Sequence, residues 1–340
     1  MKNRMYEPIN EPCAWLGSEL QDEKSWLTQL TSRNLEEIEA ALQNVKARNL
    51  KMEEISPSDF AIPSLESTLK HIGEDLENGR GFSLIRGLPV QRWGTEDSAL
   101  VYWGLSTHIG TPVSQNHKGD LLVPVRDAGL SASDLNVRGP QTSAKLYYHS
   151  DFADIVGLLC MHPAKEGGVS RICSSISIYN ALAESGRTDL IDAFYDGYYF
   201  DRKGEQAPDV AAVSDHPIPM LSWHDDRLSF RYVPGWAESA VKRTGKAWRQ
   251  VQREAIDEVN RLSNLPLFYL DMNFQPGDIQ FLNNYCVLHS RTAFVDFPEP
   301  ERKRFLQRIW LRAHRGRDLA NDFDHLFGTA STRDGIPAHQ

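Results

Sequence analysis

Tyr147-Tyr148-His149-Ser150-Asp151 joins β-favouring aromatic residues to a histidine and an aspartate two positions apart. In an extended segment residues i and i+2 project to the same face, so His149 and Asp151 can reach one ion. An apolar run, residues 155–161, comes soon after, where a charged pair is costly unless it binds something. Far downstream stand Leu288-His289 and then Arg302-Lys303-Arg304-Phe305-Leu306-Gln307-Arg308. Two imidazoles and one carboxylate are the ligand set that holds non-haem Fe(II) on one face and leaves the other open. His149, Asp151 and His289 are therefore the candidate metal ligands and catalytic centre.

Other readings of these residues exist. The H-x-D spacing recurs at His224-Asp225-Asp226, but between two strand-like runs, where turn chemistry accounts for the aspartates. A Cys286-x-x-His289 zinc pair is disfavoured, because residues three apart on a strand face opposite ways. Hydrolytic zinc on the same three ligands stays open, since three-ligand zinc sites exist. So does a non-catalytic binding protein. The strand after His289 bears on the choice. Counted alternately, Arg304, Leu306, Arg308, Trp310 and Arg312 share one face, and Phe305, Gln307, Ile309 and Leu311 the other. Arginines lining a lumen make sense if the lumen holds anions, such as the far carboxylate of a keto acid. The alternative is a solvated face on an edge strand.

Composition sets outer bounds. With 340 residues, 41% apolar and 24% charged, the chain can bury a substantial core in one or two domains. The formal charge of −9 and the lack of a basic block interleaved with aromatics give a nucleic-acid role little support. The start, MKNRMYEPIN, has no apolar segment of signal-peptide length, and no run of apolar residues is long enough to span a bilayer. Cys13, Cys160, Cys173 and Cys286 are scattered, which reads as reduced thiols in a cytoplasmic protein. A homodimer is the generic expectation for assembly.

Along the chain, residues 1–80 read as a helical extension packed on the β-rich remainder. Asn34 with Glu37 is a capping-box pattern, and Leu35, Ile38, Leu42 and Val45 stand at helical spacing after it. Ser64 after Pro63 signals a second helix, and Thr95 a third. Residues 81–87 read as a buried strand, and from about residue 111 the texture changes to short runs: 121–125, 145–148, 155–161, 170–178, 197–200, 220–223 and 228–233, then 279–282 and 304–311. Asp225-Asp226 marks a hairpin tip, and helical patterning returns at 189–194 and 244–262. Many short strands with intervening helices predict a mainly β fold with flanking helices, a double-stranded β-helix or jelly roll of cupin type, over 81–340. No GxGxxG or GxxxxGK[ST] appears, which argues against nucleotide-binding folds.

These residues resemble the Fe(II)/2-oxoglutarate-dependent dioxygenases of the taurine dioxygenase and 2,4-dichlorophenoxyacetate dioxygenase group, from about Gly81 to Arg312. The markers are Gly81-Phe82-Ser83-Leu84-Ile85-Arg86-Gly87-Leu88-Pro89, Ile109-Gly110-Thr111-Pro112, His149-Ser150-Asp151, Gly167-Gly168, Pro276-Gly277-Asp278, Leu288-His289 and Arg304-x-x-x-Arg308. Ser114-Gln115-Asn116 and Pro298-Glu299-Pro300-Glu301-Arg302-Lys303-Arg304 look like one branch of that group. The resemblance implies Fe(II) on His149, Asp151 and His289, with 2-oxoglutarate and O2 as co-substrates. Arg304 would clamp the distal carboxylate of 2-oxoglutarate and Ser170 would hydrogen-bond it. Arg308 matches the place where relatives hold an anionic substrate group or brace the co-substrate. Gln115 and Asn116 match a substrate-contacting loop, and Asn284 lies near the metal.

There are departures from the pattern. Tyr148 stands where the family often has tryptophan, and Gly-Gly-Asp-Thr becomes Gly167-Gly168-Val169-Ser170. Thr111 replaces the substrate-binding histidine of taurine dioxygenase, so taurine is not the expected substrate. The intact Asp151 implies hydroxylation, desaturation or ring closure rather than halogenation. The expected substrate is a small molecule, anionic or amino-acid-like.

Overall fold

The structure is a computed structural model and describes residues 4–130, 134–323, 326–328 and 333–339. The N-terminal part runs α1 (Gly17–Leu20), β1 (Leu27–Gln29), α2 (Ser32–Ala47), α3 (Pro63–Asn78), β2 (Phe82–Arg86) and α4 (Val90–Thr107). The middle of the chain supplies β3 (Gly110–Val113), β4 (Leu122–Val125), β5 (Leu146–His149), β6 (Ile155–His162), β7 (Glu166–Gly167) and β8 (Ser170–Ser174). Next come α5 (Ser175–Glu184), α6 (Thr188–Asp196), the hairpin β9 (Leu221–His224) with β10 (Arg227–Phe230), α7 (Pro234–Thr244) and α8 (Gln250–Ser263). The chain then adds β11 (Tyr269–Met272), β12 (Ile279–Asn283), β13 (Val287–Arg291), β14 (Phe294–Val295) and β15 (Phe305–Ala313).

Two sheets carry the site. The larger has the order β1-β2-β12-β6-β15-β3, with β4 also on β15, and is antiparallel except for β1 on β2. The smaller, β11-β8-β13-β5, is antiparallel throughout. Together they form the jelly roll. The two-residue period of the larger sheet divides its side chains between two cores. Leu84, Val156, Leu282 and Trp310 face the smaller sheet and α5–α8, whereas Ile85, Ile155, Phe281 and Ile309 pack under α2–α4. A strand buried on both faces reads as a continuous apolar run, which is how 155–161 appears in the sequence.

Two sequence markers meet in space. Arg86 at the end of β2 donates two hydrogen bonds to the Asp278 carboxylate, at 2.8 and 2.7 Å. Asp278 comes after Gly277, whose φ of 88° and close approach to the Leu88 carbonyl leave no room for a Cβ. The Pro-Gly-Asp turn is thus the joint that seats β12 against β2.

Several elements differ from expectation. The cap of α2 is Thr31, whose hydroxyl accepts from the Asn34 N–H, while Glu37 accepts the Ser64 N–H and so caps α3 instead. The helix expected from Thr95 starts at Val90 and breaks at Gly94, so only its uninterrupted part begins at Thr95. The 170–178 run is a strand and then a helix, divided where Ser174 caps α5, because a short apolar run has no period that tells strand from buried helix. Helix α7 was not anticipated, although Pro234 at its start and Gly245 after its end are boundary signals. The first 80 residues also contribute an edge strand, β1, to the larger sheet.

Candidate active site

The smaller sheet places the two histidines. His149 ends β5 and His289 sits at the centre of β13, and the register puts them directly opposite each other. Their ring centroids lie 4.2 Å apart. Asp151 lies just past the end of β5, where the Ser150 N–H donates to the Tyr232 carbonyl and the Asp151 N–H to the Asn284 side-chain oxygen. One donor atom from each of His149, Asp151 and His289 lies within 4.8 Å of the others. The rival His224-Asp225 pair sits at the exposed β9–β10 hairpin tip, where Asp225 and Asp226 adopt positive φ, as tight hairpin turns require. Cys286 is buried away from the cluster, under Gly81.

The protonation state suits a metal. Burial lowers the His149 imidazole, and burial together with the neighbouring His149 lowers His289 to about 3, so both are neutral at ordinary pH. His149 Nδ1 is 2.8 Å from the Tyr147 carbonyl, which fixes that nitrogen as the donor and leaves Nε2 for a ligand. His289 Nδ1 is buried and has no hydrogen-bond partner among the described residues. For Asp151, burial raises the carboxyl, but Arg308, the imidazoles and Trp310 outweigh it and hold it well below the usual range. The Trp310 indole N–H donates to Asp151 Oδ2 at 2.8 Å, and Arg308 Nη1 lies 3.3 Å from the same oxygen.

Beside the histidines lies a small cavity between the two sheets, lined by His149, Ser170, His289, Arg291, Arg304 and Arg308 among others. Ser170 faces Arg291 across the β8–β13 ladder, and among the described residues its hydroxyl has only a long 3.5 Å contact to Gln280. Arg304 is 4% exposed, and its Nη1 has no partner among the described residues. Its path is open because Gly168, at φ 67°, has no side chain; a Cβ there would sit 3.2 Å from Arg304 Nε. Arg302 is half exposed and pairs with Glu299, so the strand register expected from the sequence holds. Arg291 was missed by the sequence reading. Its Nη2 donates to the Thr142 and Ala144 carbonyls, while its Nε and Nη1 are buried without partners among the described residues. Burial lowers both guanidiniums to about 10, with Arg304 adding to the effect at Arg291, so both stay charged at neutral pH. The signal was available: Arg291 is two residues past His289 on the same strand and therefore on the same face.

The other expected site residues fall in different places. Arg308 Nε donates to Gln115 Oε1 at 2.8 Å, and the Gln115 amide donates to the Leu121 and Arg308 carbonyls. Gln115, expected at a substrate-contacting loop, is fully buried with both ends committed and is not among the residues lining the cavities beside the histidines. Asn116 likewise shapes its own loop through Asp120 and Lys118 and does not line the cavities beside the histidines. Asn284 is also fully buried, accepting from the Asp151 N–H and donating to the Ala153 carbonyl, so it braces the segment that carries Asp151.

On the other side of His149 and Asp151 is a cavity of about 280 Å³ that also reaches Arg308. Residues 46–310 match the family model for the taurine catabolism dioxygenases, "TauD, TfdA family". The chain belongs to this family. It is an Fe(II)- and 2-oxoglutarate-dependent dioxygenase, and the His-Asp-His cluster and the unused N–H groups of Arg291 and Arg304 fit that iron and that diacid. Among its relatives, the chain is 28% identical to FR-33289 synthase of Streptomyces rubellomurinus, over 95% of this chain and 96% of that protein. It is 27% identical to a taurine hydroxylase-like protein of Stachybotrys chartarum, covering 88% and 79% of the two chains. The fold is shared with asparagine oxygenase, solved with Fe(II), 3-hydroxyasparagine and succinate, at a TM-score of 0.68 and 16% identity over 84% of this chain and 93% of that one. It is shared as well with the non-haem iron oxygenase OrfP in complex with Fe and α-ketoglutaric acid, at a TM-score of 0.62 and 13% identity over 92% and 100%. Among the described residues no helix is long and apolar enough to cross a membrane.

Proposed function

We propose that this dioxygenase holds iron on His149, Asp151 and His289, takes the distal carboxylate of 2-oxoglutarate on Arg304 and Arg291, and oxidises a C–H bond of a small anionic or amino-acid-like substrate. The observation that carries this reading is the meeting, around one buried cavity, of two neutral imidazoles and two guanidiniums with unused N–H groups, with the ionised Asp151 carboxylate beside the imidazoles. When bound, the iron with its co-substrate and O2 supplies the oxidant that removes the hydrogen, and 2-oxoglutarate leaves as succinate and CO2.

The chain's own residues do the positioning. Trp310 and Arg308 both hold Oδ2 of the Asp151 carboxylate, and the Tyr147 carbonyl sets the His149 tautomer. Asn284 ties the backbone of residues 151 and 153 to the turn before β13, so the two halves of the ligand set move together. Arg304, Arg291 and the Ser170 hydroxyl offer convergent donors to one carboxylate, and Leu158, Phe274 and Leu306 exclude water around its carbon chain. The four cysteines are unpaired and buried, which supports a reducing, cytoplasmic setting.

Anaerobic addition of Fe(II) and then 2-oxoglutarate should produce a weak visible charge-transfer band. A zinc hydrolase or a binding protein with the same ligands would give no band, and that result would remove the reading.

A further inference from the structure

Residues 333–339 lie along the loop that carries Gln115. Ser114 pairs with Gly335 in a parallel bridge, the Ile336 N–H donates to the Ser114 carbonyl at 2.9 Å, and the His339 N–H donates to the His117 carbonyl at 2.9 Å. Gly335 has φ 78°, and a Cβ there would collide with the Ser114 carbonyl, so only glycine lets the two backbones come this close. Ile336 is fully buried, in the same apolar core as Val113 and Trp310. The His339 and His117 rings stack at 5.5 Å, and Glu205 joins them, with its carboxylate on His117 and its carbonyl on His339 Nε2.

The other end of this segment is tied as well. Arg333 Nη1 lies 3.4 Å from the Asp154 carboxylate and donates to the Arg317 carbonyl, and Asp334 accepts from Arg312 on β15 at 2.6 Å. Asp154 also accepts from the Tyr285 hydroxyl and the Ala313 N–H, and its carbonyl accepts from the Asn284 N–H. The segment thus runs from the turn that braces Asp151 to the loop that braces Arg308.

Under that loop the contacts lead to the metal position. Gln115 turns inward between Ser114 and Asn116; its Oε1 accepts from Arg308 Nε at 2.8 Å, and its amide donates to the Arg308 carbonyl at 2.8 Å. Arg308 in turn sets Nη1 3.3 Å from Asp151 Oδ2, the oxygen that also accepts from Trp310. One edge of the guanidinium is fixed by the loop and the other faces the ligand carboxylate. On the outer side of the loop, the Ser114 and His117 carbonyls take their backbone hydrogen bonds from Ile336 and His339 among the described residues. The position of Gln115 therefore depends on the segment laid over it.

We infer that residues 333–339 are a strap that positions Arg308 at the metal site, with Gly335 and Ile336 as positioning residues and Gln115 as the connection. None of the strap residues lines either cavity beside the histidines. The inference rests on the metal assignment above and goes beyond it, because a remote segment sets how Asp151 is presented to the ion. Without the strap the loop loosens, Oε1 withdraws from Arg308 Nε, and the guanidinium no longer holds Asp151 Oδ2 in one place.

The test uses the full chain under anaerobic conditions. Calorimetry reads Fe(II) alone, the visible band then reads 2-oxoglutarate, and hydrogen exchange follows residues 114–121 in the ligand-free protein. Gly335→Ala and Ile336→Ala should each speed exchange in that loop by about 10-fold or more and weaken Fe(II) by about 3- to 10-fold, as expected when the support of a ligand's partner is lost. Ile38→Ala, which opens a similar cavity under α2–α4, should lower the melting temperature comparably and leave Fe(II) affinity unchanged. Gln115→Leu should weaken Fe(II) by about 10-fold, and adding Ile336→Ala to it should cost less than about 2-fold more, because the connection is already cut. Gln115→Glu keeps an acceptor for Arg308 Nε and should restore most of the affinity, which a packing role would not allow. Unaltered exchange at 114–121, unchanged Fe(II) affinity in both strap variants, an additive double variant, or an equal loss in Ile38→Ala would each overturn the inference. The visible band reports separately on the parent reading. Its absence from the unmodified chain defeats the dioxygenase assignment and leaves the exchange and Fe(II) results to decide the strap, whereas a normal band with unaffected strap variants defeats only the strap.

Discussion

Arg291 and Arg304 bring two guanidiniums into one buried cavity, and among the described residues neither forms an ion pair with a carboxylate. Such an arrangement costs folding free energy unless an anion completes it. An anion bound between them would therefore be part of the electrostatic balance of the fold.

That balance can be measured. Arg291→Met should stabilise the ligand-free protein by roughly 1–3 kcal/mol, because an uncompensated buried charge is replaced by an apolar chain of similar length. The same variant should bind 2-oxoglutarate about 10-fold more weakly and gain less thermal protection from it. Melting curves with and without Fe(II) and 2-oxoglutarate read both effects. A destabilised ligand-free variant with unaltered affinity would show Arg291 to be structural.

Arg304→Ala should weaken 2-oxoglutarate by about 100-fold or more, since solvent cannot replace a forked carboxylate contact in a closed pocket. Arg302→Ala, on an exposed side chain paired with Glu299, should leave that affinity unchanged. The reverse pattern would mean the strand is out of register.

Asp151→Ala should abolish substrate-linked succinate formation and lower bound iron on elemental analysis. The Trp310 N–H and the Arg308 guanidinium would also lose their shared acceptor. Undiminished turnover would remove the metal assignment.

Asn284→Leu leaves the Asp151 N–H and the Ala153 carbonyl buried without partners, at a cost of about 2–4 kcal/mol. Its kcat should fall by about 10-fold or more while the KM for 2-oxoglutarate stays within about 2-fold, because the ligand segment shifts and the arginine pocket does not. A matched rise in KM would place Asn284 in the co-substrate pocket instead.

Gly168→Ala adds a Cβ at φ 67°, 3.2 Å from Arg304 Nε, and should destabilise by roughly 1–2 kcal/mol. Its clearer signature should be a raised KM for 2-oxoglutarate, as Arg304 is pushed aside. Normal kinetics would show that Arg304 has room the structure does not display.

The ligand set and the fold class were legible in the chain because both rest on short-range regularities. The two-residue period of a strand puts His149 beside Asp151 in projection, and it sorts Arg304 and Arg308 from Ile309 and Leu311. What the sequence could not decide was which distant groups use up a side chain's hydrogen-bonding capacity. Gln115 looked like a loop residue ready for substrate until the fold closed its amide on Arg308, 193 positions away. Arg291 looked like one more arginine until burial left its Nε and Nη1 without a partner among the described residues. Local spacing dictates which way a side chain points. Only tertiary packing dictates whether it arrives there with a partner, because desolvation and pairing depend on neighbours that the chain order does not adjoin.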